Sequence, residues 1–415
     1  MSDKSVVMAS LVSLALVSAC ETSPYIPYSE TMPVTAEPCE FEEEICEKLM
    51  LFAEIVSRIE QFGLLNSPPI TDQVSFDAWV SANELRLPEI TPDEFVTQFG
   101  DEAEISLISA DEASLSTSAW TAGIGITITK FDEQIVISDV IADSPASQAG
   151  LQEGFVVSAI DHEDLVGFTL EDVMARILSY RGDGTEISMT AGYPDQPASS
   201  YTMTRKSGLE RKASVELDGD LGIIRIPGFK DDTLEQVNFA ITSLTSSAIP
   251  PKAWVLDLRY NSGGLLDQVS GTASLFLDGG PVGRIEGRTP EDRENFSANK
   301  GDILEGAPLF VLINNQTSSG AEWLSLVLQE RGRATLVGSS TYGRAFIRTV
   351  FPLKRRKVSD TYQEALVLKT DRLLTPTARE VPDTGVEPDI ELESASPITQ
   401  FRDSLAAIRN DLNSR

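Results

Sequence analysis

The sequence predicts a multidomain protein of the α/β class, and three observations carry that prediction. From Leu221 onward, apolar runs of strand length alternate with amphipathic runs of helix length: Leu221–Ile226, Thr233–Leu244, Ala253–Leu258, Gly264–Phe276, Pro308–Ile313, Gly320–Arg331 and Ala334–Val337. Such alternation is the signature of an α/β unit. Ahead of it, Trp120 to about Arg205 reads as a compact mixed module of its own. Finally, 415 residues suffice for roughly two or three folded units, each large enough to bury a core.

Taken in order, the chain opens on an apolar stretch, Val6 to Val17, too short to span a bilayer and of the length of a signal-peptide core. Val17-Ser18-Ala19-Cys20 follows and resembles a bacterial lipobox, which implies lipidation of Cys20 and attachment to a membrane of the cell envelope. Glu21, where inner-membrane lipoproteins commonly carry aspartate, favours the outer membrane. Cys20 to Cys39 is rich in Pro, Ser and Thr and reads as a tether. Cys39 and Cys46 are the other two thiols, and in an oxidising compartment they are expected to form a disulfide. Ile45, Leu49, Phe52, Ile55 and Ile59 recur at helical spacing and predict an amphipathic helix over about Glu43–Gln61, with loops and short helices continuing to about Ser118.

Hydrophobic residues make up 41 % of the chain, which excludes disorder as the main state. The formal charge of −31 argues against nucleic acid as a partner, since phosphates require a dense cationic footprint. No His/Cys/Asp cluster has metal-ligand spacing and no Walker-type loop is present, so no cofactor is implied. Nothing in the sequence signals an oligomeric state.

In the middle module, Ile135–Ile141 predicts a strand, Ser144–Leu151 a short helix with its stop, and Leu170–Tyr180 a second helix. Gly123-Ile124-Gly125-Ile126 precedes a β-prone run, where successive amides can converge on a carboxylate and the strand edge can pair with an extended peptide. Together with Gly154-Phe155-Val156-Val157-Ser158-Ala159-Ile160-Asp161, the span resembles a PDZ domain from end to end. That resemblance makes Gly123–Ile126 the carboxylate-binding loop and the helix from Leu170 the far wall of the groove.

Two strand-to-helix turns carry the candidate chemistry. Asp257-Leu258-Arg259-Tyr260-Asn261-Ser262-Gly263-Gly264 ends in a glycine bend whose amides can hold an oxyanion, with Asp257 and Arg259 read as a structural ion pair. Thr317-Ser318-Ser319-Gly320-Ala321-Glu322 sets a serine at a helix N-terminus, where dipole and free amides favour negative charge, although either serine also suits a helix cap.

With Leu374-Thr375-Pro376 and Gly385-Val386-Glu387-Pro388-Asp389-Ile390, these pieces resemble, in order from Trp120 to Leu392, the carboxyl-terminal processing peptidases of family S41. The resemblance implies a crotonase- or protease-subunit-like α/β core with an inserted PDZ domain and an N-terminal helical segment. It implies protein or peptide substrates with free C-termini, a PDZ domain that recognises them and gates the site, Ser319 as nucleophile, and Gly263, Gly264 and Gly320 around the oxyanion. The expected division is 1–19 leader, 20–40 tether, 41–118 helical region, 119–207 PDZ, 208–395 core and 396–415 C-terminal helix.

One position departs from the family pattern. Thr341-Tyr342-Gly343-Arg344-Ala345-Phe346-Ile347-Arg348 stands where the family has Thr-Phe-Gly-Lys-Gly-x-x-Gln, so the base lysine is Arg344 and the glutamine Arg348. A guanidinium stays charged to about pH 12 and beyond and offers no lone pair. If Phe346–Pro352 and Glu364–Leu368 form a hairpin around Lys354–Lys357, Lys369 lies near Arg348 and becomes the candidate replacement base. Two functions follow: a serine endopeptidase with a degenerate base, or a pseudopeptidase that binds C-termini as an adaptor.

Overall fold

The computed structural model describes residues 43–64, 70, 73–100, 105–109, 123–131, 133–141, 143–177, 184–194, 196–209, 212–247, 250–353, 364–392 and 399–414. The leader, Cys20, the tether, Cys39, Trp120 and the Lys354–Lys357 loop lie outside these. Cys46 is disulfide-bonded to a partner outside the described residues.

Three helices open the described chain: α1 (Glu43–Phe62), α2 (Gln73–Asn83) and α3 (Pro92–Val96). The helical spacing of α1 buries Leu49, Phe52, Ile55, Val56 and Ile59. Phe52 stacks on Phe95 with ring centres 4.1 Å apart, and Trp79 meets Phe52 edge-on at 5.8 Å. Thr91 caps α3, its Oγ1 accepting from Glu94 N at 3.1 Å. Ile105–Ser109, within a stretch whose sequence predicts loops and short helices, is a strand, β1. Its five residues show no strong alternation, and pairing with a distant partner decides its state.

The middle module contains β2 (Ile126–Phe131), β3 (Gln134–Val140), α4 (Pro145–Ala149), β4 (Val156–Ile160), β5 (Glu163–Asp164), α5 (Leu170–Ile177), β6 (Glu186–Gly192) and β7 (Ser199–Thr204). Ser144 caps α4 by accepting from Ser147 N at 3.1 Å, and Gly150 ends it at φ 90°, a conformation that glycine adopts without Cβ strain. The sheet runs β2-β3-β4-β6-β7 with β5 on β4, leaving β2 at an edge with α5 against it.

The last module runs β8 (Ser214–Asp218), β9 (Leu221–Arg225), α6 (Thr233–Thr245), β10 (Ala253–Asp257), α7 (Leu266–Phe276), β11 (Gly280–Glu286), β12 (Glu294–Ala298), β13 (Leu309–Ile313), α8 (Gly320–Glu330), β14 (Ala334–Gly338), β15 (Phe346–Leu353), β16 (Glu364–Leu374), β17 (Ile390–Glu391) and α9 (Gln400–Ser414). Among the described residues, one sheet runs β17-β14-β13-β10-β9-β8, parallel except for β8. Every residue of β10 and β13 is buried, as unbroken apolar runs require at the centre of a two-sided sheet. Trp254 and Leu256 point to the side of α6, α7 and α8, whereas Ala253 and Val255 pack under Leu405 and Ile408 of α9. The fold is therefore mixed α/β, as the alternation predicts.

A second, antiparallel sheet runs β1-β16-β11-β12, with β15 forming the expected hairpin on β16. β1 pairs Ile105 with Leu368, and α1 lays its apolar face on Phe351, Leu353, Leu366 and Leu368. The N-terminal segment thus completes this sheet and its core. Among the described residues no helix is long and apolar enough to cross a membrane.

Candidate active site

The site forms where three bends meet at the carboxyl ends of β10, β13 and β14. After β10, Leu258 N still donates to Leu312 O at 3.0 Å, and the chain then turns through Tyr260, at φ 62°. Asn261, fully buried, fixes the turn: its Nδ2 donates to Ile226 O at 2.8 Å, and its Oδ1 accepts from Gly263 N at 2.8 Å. Gly263 and Gly264 follow at φ 98° and 140°. The N–H of Gly263 is committed to Asn261, whereas those of Gly264 and Gly320 meet no protein acceptor among the described residues.

After β13, Ser318 N donates to Asn261 O at 2.9 Å, which ties the second bend to the first. Of the two adjacent serines, Ser318 is sealed at 0 % exposure, while Ser319 keeps 9 %. Ser319 sits at φ 56° and ψ −128° at the head of α8, a strained conformation for a residue with a Cβ. A Cβ built on Gly263 would lie 2.8 Å from Ser319 Cβ and 3.1 Å from its Oγ, so the glycine bend is flush against the serine. A serine held at a left-handed φ on a strand-to-helix turn, with open amides beside it, has the geometry of a nucleophile facing an oxyanion pocket.

Glu322, one turn into α8 and fully buried, joins the second bend to the third. Its Oε2 accepts from Ser319 N at 2.9 Å and Arg344 N at 2.9 Å; its Oε1 accepts from Gly343 N at 2.6 Å and the Thr341 hydroxyl at 2.5 Å. Thr341 Oγ1 in turn accepts from Val386 N at 2.7 Å. Burial pushes the Glu322 pKa up, and the donations from Thr341, Gly343, Arg344 and Ser319 only partly offset that. Burial likewise pushes Tyr260 up to about 12, so its hydroxyl stays neutral.

Arg344 is half-buried, with its guanidinium carbon 4.8 Å from the Tyr342 ring centre. Arg348 stands opposite Lys369 in the β15–β16 ladder, and the Lys369 ammonium lies 4.6 Å from the Phe346 ring centre. Asp257 and Arg259 form a buried bidentate pair, Nε to Oδ1 at 2.9 Å and Nη2 to Oδ2 at 2.8 Å. Burial raises the Asp257 pKa, but Arg259 and Arg225 overcome it and hold the carboxyl below its ordinary range. In the middle module, Gly123 bridges to Lys206, Ile124 O accepts from Ala146 N, and Gly125 O accepts from Ile141 N. Gly125 is at φ 84°, with Ser144 Cβ only 2.3 Å from where its own Cβ would be. Among the described residues no group of three or more His, Cys, Asp or Glu side chains is gathered as a metal would need.

Residues 220–392 match the profile of Peptidase family S41, and residues 113–191 that of the PDZ domain. The chain carries a peptidase family S41 domain. It is 30 % identical over 285 residues to a carboxy-terminal-processing protease of Bartonella bacilliformis, covering 68 % of this chain and 64 % of that one. It is 29 % identical over 294 residues to a carboxyl-terminal-processing protease of Synechocystis, covering 69 % of this chain and 66 % of the other. The chain thus spans under two thirds of the length of each of these curated relatives. In fold it resembles the photosystem II D1 C-terminal processing protease, with a TM-score of 0.55 at 21 % identity, covering 83 % of this chain and 93 % of that structure. Within the S41 domain, the serine and the glycines are recognisable from local spacing. The Ser-x-x-Glu spacing is the only sequence signal of Glu322, and nothing local marks Asn261 or Thr341 as its counterparts in the other bends.

Proposed function

We propose that this chain is a serine endopeptidase of the C-terminal processing type, exported and held by a lipid on Cys20 in the bacterial envelope, facing the periplasm. Ser319 is the nucleophile, and the amides of Gly264 and Gly320 receive the oxyanion beside the close-set Gly263. The Gly123–Ile126 loop captures a substrate's terminal carboxylate, while the edge of β2 pairs with the peptide behind it. The observation that supports this reading best is Ser319 at φ 56°, the partly open serine of its pair, flush against the glycine bend. Arg344 occupies the position of the base, so turnover is slow, and Lys369, opposite Arg348, is the candidate replacement.

A serine-reactive phosphonate probe tests the nucleophile. Wild-type protein is expected to label and Ser319→Ala to remain unlabelled; equal labelling of the two would refute the assignment. Gly263→Ala tests the bend. The new methyl meets Ser319 Cβ at 2.8 Å and Gly320 N at 3.0 Å from a φ of 98°, so both strain and contact act on the same atoms. Labelling is expected to fall at least about tenfold, with about 1–3 kcal/mol of stability lost to the backbone strain. A variant that labels at the wild-type rate would mean that the bend takes no part.

A further inference from the structure

Asp139, near the end of β3, and Glu153, in the turn before β4, belong to the PDZ domain, yet both carboxylates reach into the S41 domain. Arg225, the last residue of β9, places Nη1 3.2 Å from Asp139 Oδ1 and 3.0 Å from Glu153 Oε2, and Nε 3.1 Å from Asp257 Oδ2. Arg259 Nη2 lies 2.8 Å from Asp257 Oδ2 and 3.2 Å from Glu153 Oε1. Phe401 of α9 covers both guanidiniums, at 5.1 and 4.8 Å. An uncharged contact joins the same two bodies: Gln316 Nε2 donates to Thr129 Oγ1 of β2 at 2.6 Å, three residues before Ser319.

Charge decides what this cluster does. The S41 domain alone supplies two arginines against one aspartate, and the Arg259 side chain is only 2 % exposed. A buried guanidinium without a full complement of carboxylates is unstable, so the cluster is complete only with the PDZ domain docked. Of the two carboxylates the PDZ domain supplies, Glu153 is the one that touches both arginines, as Asp257 does from within the S41 domain. Arg259 directly precedes Tyr260, at φ 62°, and Asn261, whose Oδ1 holds the amide of Gly263. The side chain that the PDZ domain grips is therefore rooted in the segment that shapes the glycine bend.

We propose that Glu153, acting through Arg259, is a positioning residue by which docking of the PDZ domain fixes the Gly263–Gly264 bend. Its consequence for catalysis rests on the peptidase reading above, whereas the mechanical coupling does not. A peptide paired on β2 lies one strand from Asp139 and one hydrogen bond from the Ser319 loop, so the interface that orders the bend adjoins the groove.

Amide hydrogen exchange on the full chain tests the coupling without requiring turnover. In Glu153→Gln, exchange over Tyr260–Leu265 is expected to rise at least tenfold, while the buried strand β13 exchanges as in wild type. Glu153→Asp keeps the charge and is expected to stay within threefold of wild type; it serves as the reporting variant should Glu153→Gln not fold. Unchanged exchange at the bend in Glu153→Gln, a rise spread equally over β13, or a Glu153→Asp variant as loose as an unfolded loop would each overturn the proposal. Phosphonate labelling of the same samples separates the two readings. An unlabelled wild type with a loosened variant bend defeats the peptidase assignment alone, and wild-type exchange in a labelling protein defeats the coupling alone.

Discussion

Arg344→Lys is expected to raise cleavage of an unfolded protein with an apolar C-terminus at least about tenfold, since a placed general base contributes roughly 10²–10⁴ to such reactions. The reason starts from the backbone. Arg344 N is anchored on Glu322 Oε2 at 2.9 Å, so a lysine side chain begins from the same point beside the same serine. What changes is the head group, from a guanidinium with no lone pair to an amine that can shed its proton in a half-buried cleft. Stability should move little: lysine gives up only the stacking of Arg344 on Tyr342, at 4.8 Å and partly exposed, worth about 0.5–1 kcal/mol. A rise in rate at constant stability therefore reports chemistry. No rise, combined with loss of wild-type turnover in Lys369→Met, would move the base to Lys369. No rise and no wild-type turnover would leave the chain as a binder of C-termini.

Much of the fold is legible because its signals are local. Alternation from Leu221 onward marks the strands and helices of the parallel sheet, and β13, like β10 up to Asp257, is apolar because both its faces are covered. β1 is not legible, since Ile105–Ser109 becomes a strand only by pairing with β16, more than 250 residues away in sequence. The site divides in the same way. Ser319, Gly263 and Gly264 announce themselves through turn chemistry, whereas the buried contacts that hold them, from Asn261 to Ile226 and from Glu322 to Thr341, join segments distant in the chain. The spacing of Asp257 and Arg259 suggests an ion pair, and they form one. That the pair is completed by two carboxylates of the PDZ domain depends on how the bodies dock, for which one sequence holds no signal.

Glu322→Leu should be the most damaging substitution that leaves every reacting atom in place. Four donors converge on this carboxylate, three backbone amides and the Thr341 hydroxyl, and leucine of similar size satisfies none of them. At the low end of about 1 kcal/mol per orphaned donor, the loss is about 4 kcal/mol, less whatever is regained by no longer burying a charge. Phosphonate labelling of Ser319 should fall on the order of 10²-fold, because the amides that place Ser319 and Arg344 lose their common anchor. Glu322→Gln separates charge from connectivity. Its oxygen can keep Ser319 N and Arg344 N, and its amide can donate to Thr341 Oγ1, which already accepts from Val386 N, so Gly343 N and the Thr341 hydroxyl proton are orphaned and the loss should be about 2 kcal/mol, half that of leucine. If leucine and glutamine proved equally damaging, the carboxylate would matter as a charge and not as a joint. Acid titration offers an independent check. Burial raises the Glu322 pKa, so its proton returns at a higher pH than on an ordinary glutamate, into a ring of donors where the Thr341 hydroxyl must turn round to accept it and the amides lose part of their shared acceptor. Labelling should therefore decline on the acid side above the usual carboxylate range. Folding stability from this group runs the other way: the native state binds the proton more tightly than the unfolded chain, so its contribution falls as pH rises from the ordinary glutamate range through the raised value, and is level above it. A labelling profile that tracked stability across that window, instead of opposing it, would show that Glu322 is not the joint between the bends.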